Sequence, residues 1–196
     1  RADDRAAWAP WADDPFGQRV LKLARELAAE PFPPYNNVTW LTGLEQQSVT
    51  EINRVMPIVR KRQTVFLLAE AIFNRGEFIE VIFSDARELA KLNTWTHPGN
   101  DLKRLNYDGK TQEPDLGTVH FAESLALTDY ILGDRLPAAF RTLIREETNR
   151  RLFVPLRERI ESGRDLYWWL AVKHNWNAVC LAATAHAATA LLPAAE

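Results

Sequence analysis

Residues 58–92 read IVRKRQTVFLLAEAIFNRGEFIEVIFSDARELAKL, and this stretch decides the predicted fold. In each half, apolar residues recur every three or four positions, which is the spacing of the buried face of an amphipathic helix. The residues between the halves end in Gly76, which suits the left-handed conformation that closes many helices. We therefore expect two helices, 58–73 and 77–92, joined by a turn so short that they pack in opposite directions.

The same helical spacing recurs on both sides of this pair. Pro57 is expected to end the preceding helix, because the residue before a proline disfavours the helical conformation. Asp115 is a candidate N-cap for a helix that Gly133 closes. The other helices are expected at residues 15–30, 49–56, 115–132, 137–154 and from Trp176 or Asn177 to about 192.

The predicted fold class is all-α, because no alternating strand pattern flanks a hairpin turn. Successive antiparallel helical hairpins with long loops indicate an incomplete α/α toroid rather than a four-helix bundle. We expect residues 1–57 to form an N-terminal helical lead-in and residues 58–196 to form the partial toroid, as one continuous helical domain. Residues 93–115 make the long irregular segment, and a loop of this length in a compact domain is typical of a functional segment.

Composition excludes several classes of protein. The chain has 196 residues, of which 46% are hydrophobic, and a net charge of −2, so it is an ordinary globular chain without the basic excess of a nucleic-acid-binding protein. No apolar run is long enough to span a bilayer. The four histidines and the one cysteine, Cys180, lack metal-binding spacing, so we expect no metal and no cofactor.

A second informative stretch, residues 167–180, reads YWWLAVKHNWNAVC and precedes an alanine-rich helix. Flat aromatic rings cover the apolar faces of sugars, while amide and imidazole groups bind hydroxyls and carboxylates. Polar groups at a helix N-terminus also lie where backbone N–H groups and the helix dipole favour an anion. The stretch therefore predicts a cleft that binds an acidic sugar.

Two motifs in the chain resemble those of heparinase II/III-like polysaccharide lyases. They are Trp95 with His97-Pro98 and, above all, His174-Asn175-Trp176-Asn177-Ala178-Val179-Cys180 before a helix of small residues. Residues 115–122 add to a likeness that extends loosely from Ile58 to the end. The resemblance implies an α/α toroid followed by a β-sandwich, and cleavage of a uronic-acid-containing polysaccharide by β-elimination.

The resemblance also implies roles for single residues. In such lyases an asparagine or histidine of the toroid binds the uronate carboxylate, which points to Asn175 and its neighbour His174 as the catalytic residues. We expect Asn175 to lie in a cleft with Trp95 or His97 on the same side, and Lys173 and Arg164 to attract a polyanion. The residues expected to bind substrate are Trp176, Asn177, Trp95, His97 and Trp169.

The family's catalytic tyrosine and histidine would lie beyond Glu196, in the remaining toroid and the β-sandwich of the same protein. The expected partners are therefore those missing portions and an acidic polysaccharide of the heparin, heparan or alginate kind, with no nucleic acid and no membrane. We expect this chain alone not to cleave the polymer. The chain begins at Arg1 rather than Met, so we expect that a signal peptide has been removed or that the sequence begins inside a longer protein. The expected location is periplasmic or extracellular in a bacterium.

Two other functions remain open from the residues alone. An α/α-toroid glycoside hydrolase would need two carboxylic acids flanking the cleft, and the loop offers Asp101, Asp108, Glu113 and Asp115. A non-catalytic helical domain would bind carbohydrate without turnover. Some members of the aromatic motif also have structural readings, since Trp168 and Trp169 suit packing and Asn177 suits a helix N-cap.

Overall fold

The computed structural model describes residues 1–163 and 166–192. The regular structure of these residues is helical and contains no strand, as the sequence predicts. Short 3₁₀ turns lie at Ala9–Ala12, Pro98–Asn100 and Gly133–Arg135, and a π-helical turn, Asn149–Phe153, joins α7 to α8. The α-helices are α1 Arg5–Trp8, α2 Pro15–Ala29, α3 Asn37–Glu45, α4 Thr50–Phe73, α5 Ile79–Ala90, α6 Leu116–Leu132, α7 Ala138–Thr148, α8 Val154–Glu161, α9 Trp168–Ala171 and α10 Asn175–Leu191.

Local capping sets the ends of several helices where the sequence predicted them. Helix α2 begins at Pro15, and the side chain of Asp14 accepts a hydrogen bond from the Phe16 amide at 2.7 Å. Asp115 caps α6 by accepting from the Thr118 amide at 3.0 Å. The turn after α4 differs slightly from the expectation, because Asn74 takes the left-handed cap position at φ 55° and Gly76 follows at φ 73°.

The predicted break at Pro57 is wrong, because α4 runs through this proline from Thr50 to Phe73. Proline removes one intrahelical hydrogen bond, and this cost is offset when the flanking turns are well packed. Ile52, Val55 and Val59 are all fully buried around the proline, so tertiary packing holds the helix together. The division expected at residue 57 thus falls inside a helix, and residues on both sides of it contribute to the same core.

Three long helices run side by side in the same direction. Met56 of α4 lies beside Gly117 of α6, and further along Glu70 bonds Arg135 in the turn after α6. Between α6 and α10, Glu123 meets His186 at 2.6 Å. Nearer the start of both helices, the charge of the Asp115 carboxylate at the N-cap of α6 raises the pKa of the Cys180 thiol in α10. Residue numbers therefore rise together in both pairs, so α4, α6 and α10 are parallel.

The intervening helices run the other way. From α4 to α5, Arg62 meets Asp85 while Phe66 stacks on Phe78, so residue numbers rise in one helix as they fall in the other. Helix α5 then packs against α7 through Phe83 and Phe140, whose ring centroids are 4.8 Å apart. Helices α4 and α5 are therefore antiparallel, and α7 packs on α5.

Buried arginines tie these helices together. Arg62 is 2% exposed, forms a two-pronged ion pair with Asp85 at 2.7 and 3.1 Å, and donates to the Leu27 carbonyl at the end of α2. Arg151, equally buried, pairs with Glu147 and donates to the Leu92 carbonyl that follows α5. Fixed donor geometry of this kind specifies which helix ends meet.

No helix described in residues 1–163 and 166–192 combines the length and the apolar character needed to cross a bilayer.

Candidate functional site

A cleft of about 220 Å³ opens where the 93–115 loop, the start of α6 and the segment from α9 to α10 meet. Its walls combine aromatic rings with acidic, basic and amide side chains. This mixture is typical of a binding site for a polar ring compound such as a sugar. The lining residues are Thr96, Asn100, Glu113, Pro114, Asp115, Arg159, Leu166, Tyr167, Trp168, Trp169 and Trp176.

The four-residue helix α9 is too short to be stable alone, and buried hydrogen bonds hold it in place. The Tyr167 hydroxyl shares its one proton between the carbonyls of Gln112 and Pro155, which lie at 3.0 and 3.1 Å. The indole of Trp169 donates to the Pro114 carbonyl at 2.9 Å. Tyr167 also stacks on Trp169, so this aromatic pair anchors α9 to the end of the long loop.

Trp168 and Trp169 are neighbours in sequence with opposite environments. Trp169 is 1% exposed, so only an edge of it reaches the cleft, whereas Trp168 is 55% exposed. Trp168 packs against Trp176 with 4.8 Å between ring centroids and 43° between ring planes. The aromatic surface that a ligand meets is therefore the Trp168–Trp176 pair, whereas Trp169 is buried and stacks on Tyr167.

The predicted start of the last helix is wrong by one or two residues. Helix α10 begins at Asn175, and its N-cap is His174, whose Nδ1 accepts from the Trp176 amide at 3.3 Å. Asn177 is not the cap. Its side-chain amide donates to the carbonyls of Trp169 and Leu170, both at 3.1 Å, and so ties α9 to the first turn of α10.

The two predicted catalytic residues lie at the surface. His174 and Asn175 are both exposed, directly before Trp176 in the chain, and neither lines the cleft. Because Nδ1 of His174 is the cap acceptor, the proton of the neutral imidazole is on Nε2, which is then a donor. The expected placement of Asn175 inside a cleft beside Trp95 or His97 is thus not what the structure has.

Trp95 lies in the protein interior, and His97 is held by hydrogen bonds within the 93–115 loop and to α4. Trp95 is 1% exposed and donates to the Leu89 carbonyl at 2.9 Å, so neither ring face is open to a ligand. His97 is half-buried, with Nδ1 accepting from the Gly99 amide and Nε2 bonded to the Asn53 side chain. Burial lowers the pKa of His97, an effect that the charge of Asp115 opposes.

Asp115 is the polar centre beneath the cleft. Besides capping α6, its carboxylate accepts from the His97 amide at 2.9 Å and from the side chain of Asn100 at 2.8 Å. These bonds fix the 97–100 turn against the helix start, which makes Asp115 a positioning group for one wall of the cleft. The sequence offered Asp115 as a cap but gave no sign of the two bonds to the loop.

The other carboxylates that the sequence offered for a hydrolase are distributed unevenly. Glu113 lines the cleft and pairs with Arg159 at 3.0 Å. Asp101 accepts from backbone amides of its own loop, and Asp108 pairs with Arg104 and Lys110 outside the cleft. Only Glu113 and Asp115 of the four therefore reach the site.

Arg159 is the functional candidate that sequence reasoning missed. It comes from α8, lines the cleft, and lies over the Tyr167 ring at 4.6 Å from the centroid. A guanidinium on an aromatic face beside a cleft is well suited to bind an anionic group. No local pattern marks Arg159, because it reaches the site through the packing of α8 against the loop. Lys173 is exposed, and Arg164 lies outside the described residues.

Two kinds of chemistry find no support among the residues described. Within residues 1–163 and 166–192, no three His, Cys, Asp or Glu side chains converge in a way that could hold a metal ion. Cys180 is fully buried, and burial raises the pKa of its thiol to about 12, with a further contribution from the charge of Asp115. A thiol in this state is a poor nucleophile.

Comparison of the chain with protein families and with curated proteins finds no match.

Proposed function

We propose that this chain is the substrate-binding part of a polysaccharide lyase that acts by β-elimination on a uronic-acid-containing polysaccharide. The observation that carries the proposal is the Trp168–Trp176 pair, whose accessible rings form one wall of the cleft. Sugar rings bind such surfaces through their apolar faces, and the positive charge of Arg159, which pairs with Glu113 in the same cleft, would attract an acidic group.

The chemistry would use the start of α10. β-Elimination removes the proton from C5 of the uronate, and the electron pair left behind forms a double bond to C4 as the 4-O-linked sugar leaves. The carboxylate on C5 resists this step because negative charge accumulates on it. The exposed amide of Asn175, the N-terminus of α10 and the Nε2–H of His174 are donors that would stabilise that charge in the transition state.

The arrangement of the helices supports an incomplete α/α toroid. Helices α4, α6 and α10 would be inner helices that share one direction, and α5 and α7 would be the outer helices that return between them. Each α4–α5 and α6–α7 pair would then be one antiparallel hairpin of the toroid. In this proposal the acid and base of the reaction come from the rest of the same protein, which would be exported to the periplasm or the outside of a bacterium.

Binding of acidic oligosaccharides tests the proposal. Titration with alginate or heparin oligosaccharides should change tryptophan fluorescence, and neutral oligosaccharides of equal length should bind more weakly. Trp168→Ala and Trp176→Ala should each weaken binding by about tenfold or more, because a stacking surface is lost. Trp11→Ala is the matched control, since Trp11 is 47% exposed and packs on Phe16 away from the cleft. Equal affinities for all four proteins would refute the proposal.

A glycoside hydrolase is the second candidate, because Glu113 and Asp115 line the same cleft. The reaction product separates the two. The complete protein acting as a lyase releases an unsaturated uronate that absorbs in the near ultraviolet, and a hydrolase releases a saturated sugar without that absorbance. Binding without any product from the complete protein would leave a non-catalytic carbohydrate-binding domain.

A further inference from the structure

A second groove lies between α4 and α6 and shares no lining residue with the aromatic cleft. Its volume is about 530 Å³, and it is open to solvent. Arg60, Lys61 and Thr64 of α4 face His120 and Ser124 of α6 across it. The groove thus brings together three basic side chains, two hydroxyls and one carboxylate, that of Glu123, from two parallel helices.

Arg60 is the informative residue of this groove. It is half-buried, and within residues 1–163 and 166–192 its guanidinium makes no hydrogen bond, ion pair or contact with an aromatic ring. The other buried or half-buried arginines behave differently: Arg62 and Arg151, for example, each bond a carboxylate and backbone carbonyls. Burial lowers the pKa of Arg60, and the charge of Glu123 opposes this. A guanidinium that is partly desolvated and has no bonding partner among the described residues carries a desolvation cost, and a bound anion would offset that cost.

Glu123 is the carboxylate that lines the groove near Arg60, but its two oxygens already face two histidines. Nδ1 of His186 lies 2.6 Å from one carboxylate oxygen, and Nδ1 of His120 lies 3.7 Å from the other. The proximity of His120 lowers the pKa of Glu123, while burial acts against it. With Nδ1 of His120 directed at Glu123, its Nε2 is the nitrogen left for a ligand. Glu123 therefore orients His120 and, in the part of the chain that the structure describes, forms no ion pair with Arg60, although its charge acts on the guanidinium.

We propose that this groove binds a small organic oxyanion, a carboxylate, sulfate or phosphate, through Arg60, Lys61 and His120. The guanidinium fork matches two oxygens of such a group, and the ammonium and imidazole add charge and a donor. The remaining wall, formed by Pro57, Val65 and Leu127, is apolar and would contact the organic part of the ligand. The inference is independent of the proposed function, because it concerns different residues.

Calorimetric titration at low ionic strength tests the site with three probes: inorganic phosphate, sulfate and glucuronate, each against sodium chloride of equal ionic strength. At least one probe should bind saturably at one site per chain, and Arg60→Gln should weaken that binding by about tenfold or more. His120→Gln should also weaken it. Arg19→Gln is the matched control, because Arg19 is an exposed arginine of α2 away from the groove. Circular dichroism verifies that each variant is folded.

The pattern of binding identifies the source of the anion. Glucuronate as the tightest probe indicates an acidic sugar, and phosphate or sulfate as the tightest indicates a phosphorylated or sulfated ligand. Trp168→Ala should leave binding of these probes unchanged, which separates this site from the aromatic cleft. The proposal is overturned if none of the three probes binds above the chloride control, or if Arg60→Gln binds them as tightly as Arg19→Gln.

Discussion

The side-chain amide of Asn177 donates to the backbone carbonyl of Trp169 at 3.1 Å, and this bond joins α10 to α9. A second bond of equal length reaches Leu170. Together they place Trp168, one residue before Trp169, against Trp176, one residue before Asn177. The aromatic wall of the cleft therefore depends on Asn177, although Asn177 does not line the cleft itself.

Asn177→Ala should loosen the contact between α9 and α10. The variant loses two hydrogen bonds to partly buried carbonyls, which corresponds to about 1–3 kcal/mol of folding stability. Urea unfolding measures the loss, and tryptophan emission should shift to the red as the Trp168–Trp176 contact loosens. Asn175→Ala is the control, because Asn175 is exposed, and its stability should match that of the wild type. Equal stability of both variants would contradict the assigned tether.

Asp115→Ala should destabilise the protein more than loss of an ordinary cap. Asp115 accepts three hydrogen bonds from the helix start and the loop, so we expect a loss of about 3 kcal/mol or more in urea unfolding. Asp14→Ala removes an exposed cap from α2 and should cost only about 1 kcal/mol. The prediction fails if the two variants lose the same amount.

The buried Arg62–Asp85 pair should show strong coupling. Replacing one partner leaves the other charge buried and unpaired, so Arg62→Met and Asp85→Leu should each cost about 3–5 kcal/mol. The double variant should be less destabilised than the sum of the two, because it removes both charges. Denaturant unfolding of the four proteins in the cycle gives the coupling, and strict additivity would exclude it.

Acid should weaken the fold through His97. Burial lowers the folded-state pKa of His97 below its ordinary value, which is about 6.5 in an unfolded chain. The unfolded chain therefore takes up the proton first, so the stability contributed by His97 is complete above about pH 6.5 and decreases as the pH falls below it. His97→Asn, which retains a side-chain acceptor for the Gly99 amide, should flatten the decrease in thermal stability on acidification. An unchanged pH profile would argue against the contribution of His97.

The thiol of Cys180 should be inert in the folded protein. Burial raises its pKa to about 12, so very little thiolate exists near neutral pH. An aromatic disulfide reagent should react only as fast as the chain opens, and it should react at once in denaturant. Asp115→Ala should speed the reaction, since it weakens the helix start next to Cys180. Rapid labelling of the folded wild type would show that the thiol is accessible.

Local sequence signals predicted the six longest α-helices, whereas α1, α3, α8 and α9 were not predicted. The start of α2 at Pro15, the Asp115 cap and the turn after Phe73 depend on hydrogen bonds and backbone preferences that span only a few residues. The prediction was wrong at Pro57, where a local rule predicted an end to the helix, and at Asn177, where a good capping residue serves another purpose. In both places distant packing outweighs the local preference.

Some features of the candidate site likewise follow from local sequence, and others follow from distant packing. The sequence by itself determined the helical class, the aromatic and amide-rich content of residues 167–177 and their position before a helix. Only the tertiary structure decided that Trp168 is exposed while Trp95 and Trp169 are buried, that Arg159 reaches the cleft, and that Arg60 has no bonding partner among the residues described. The physical reason is the distance along the sequence over which each property is set. Helix formation depends on neighbours within a turn or two, whereas exposure and charge pairing depend on which distant helix covers a residue.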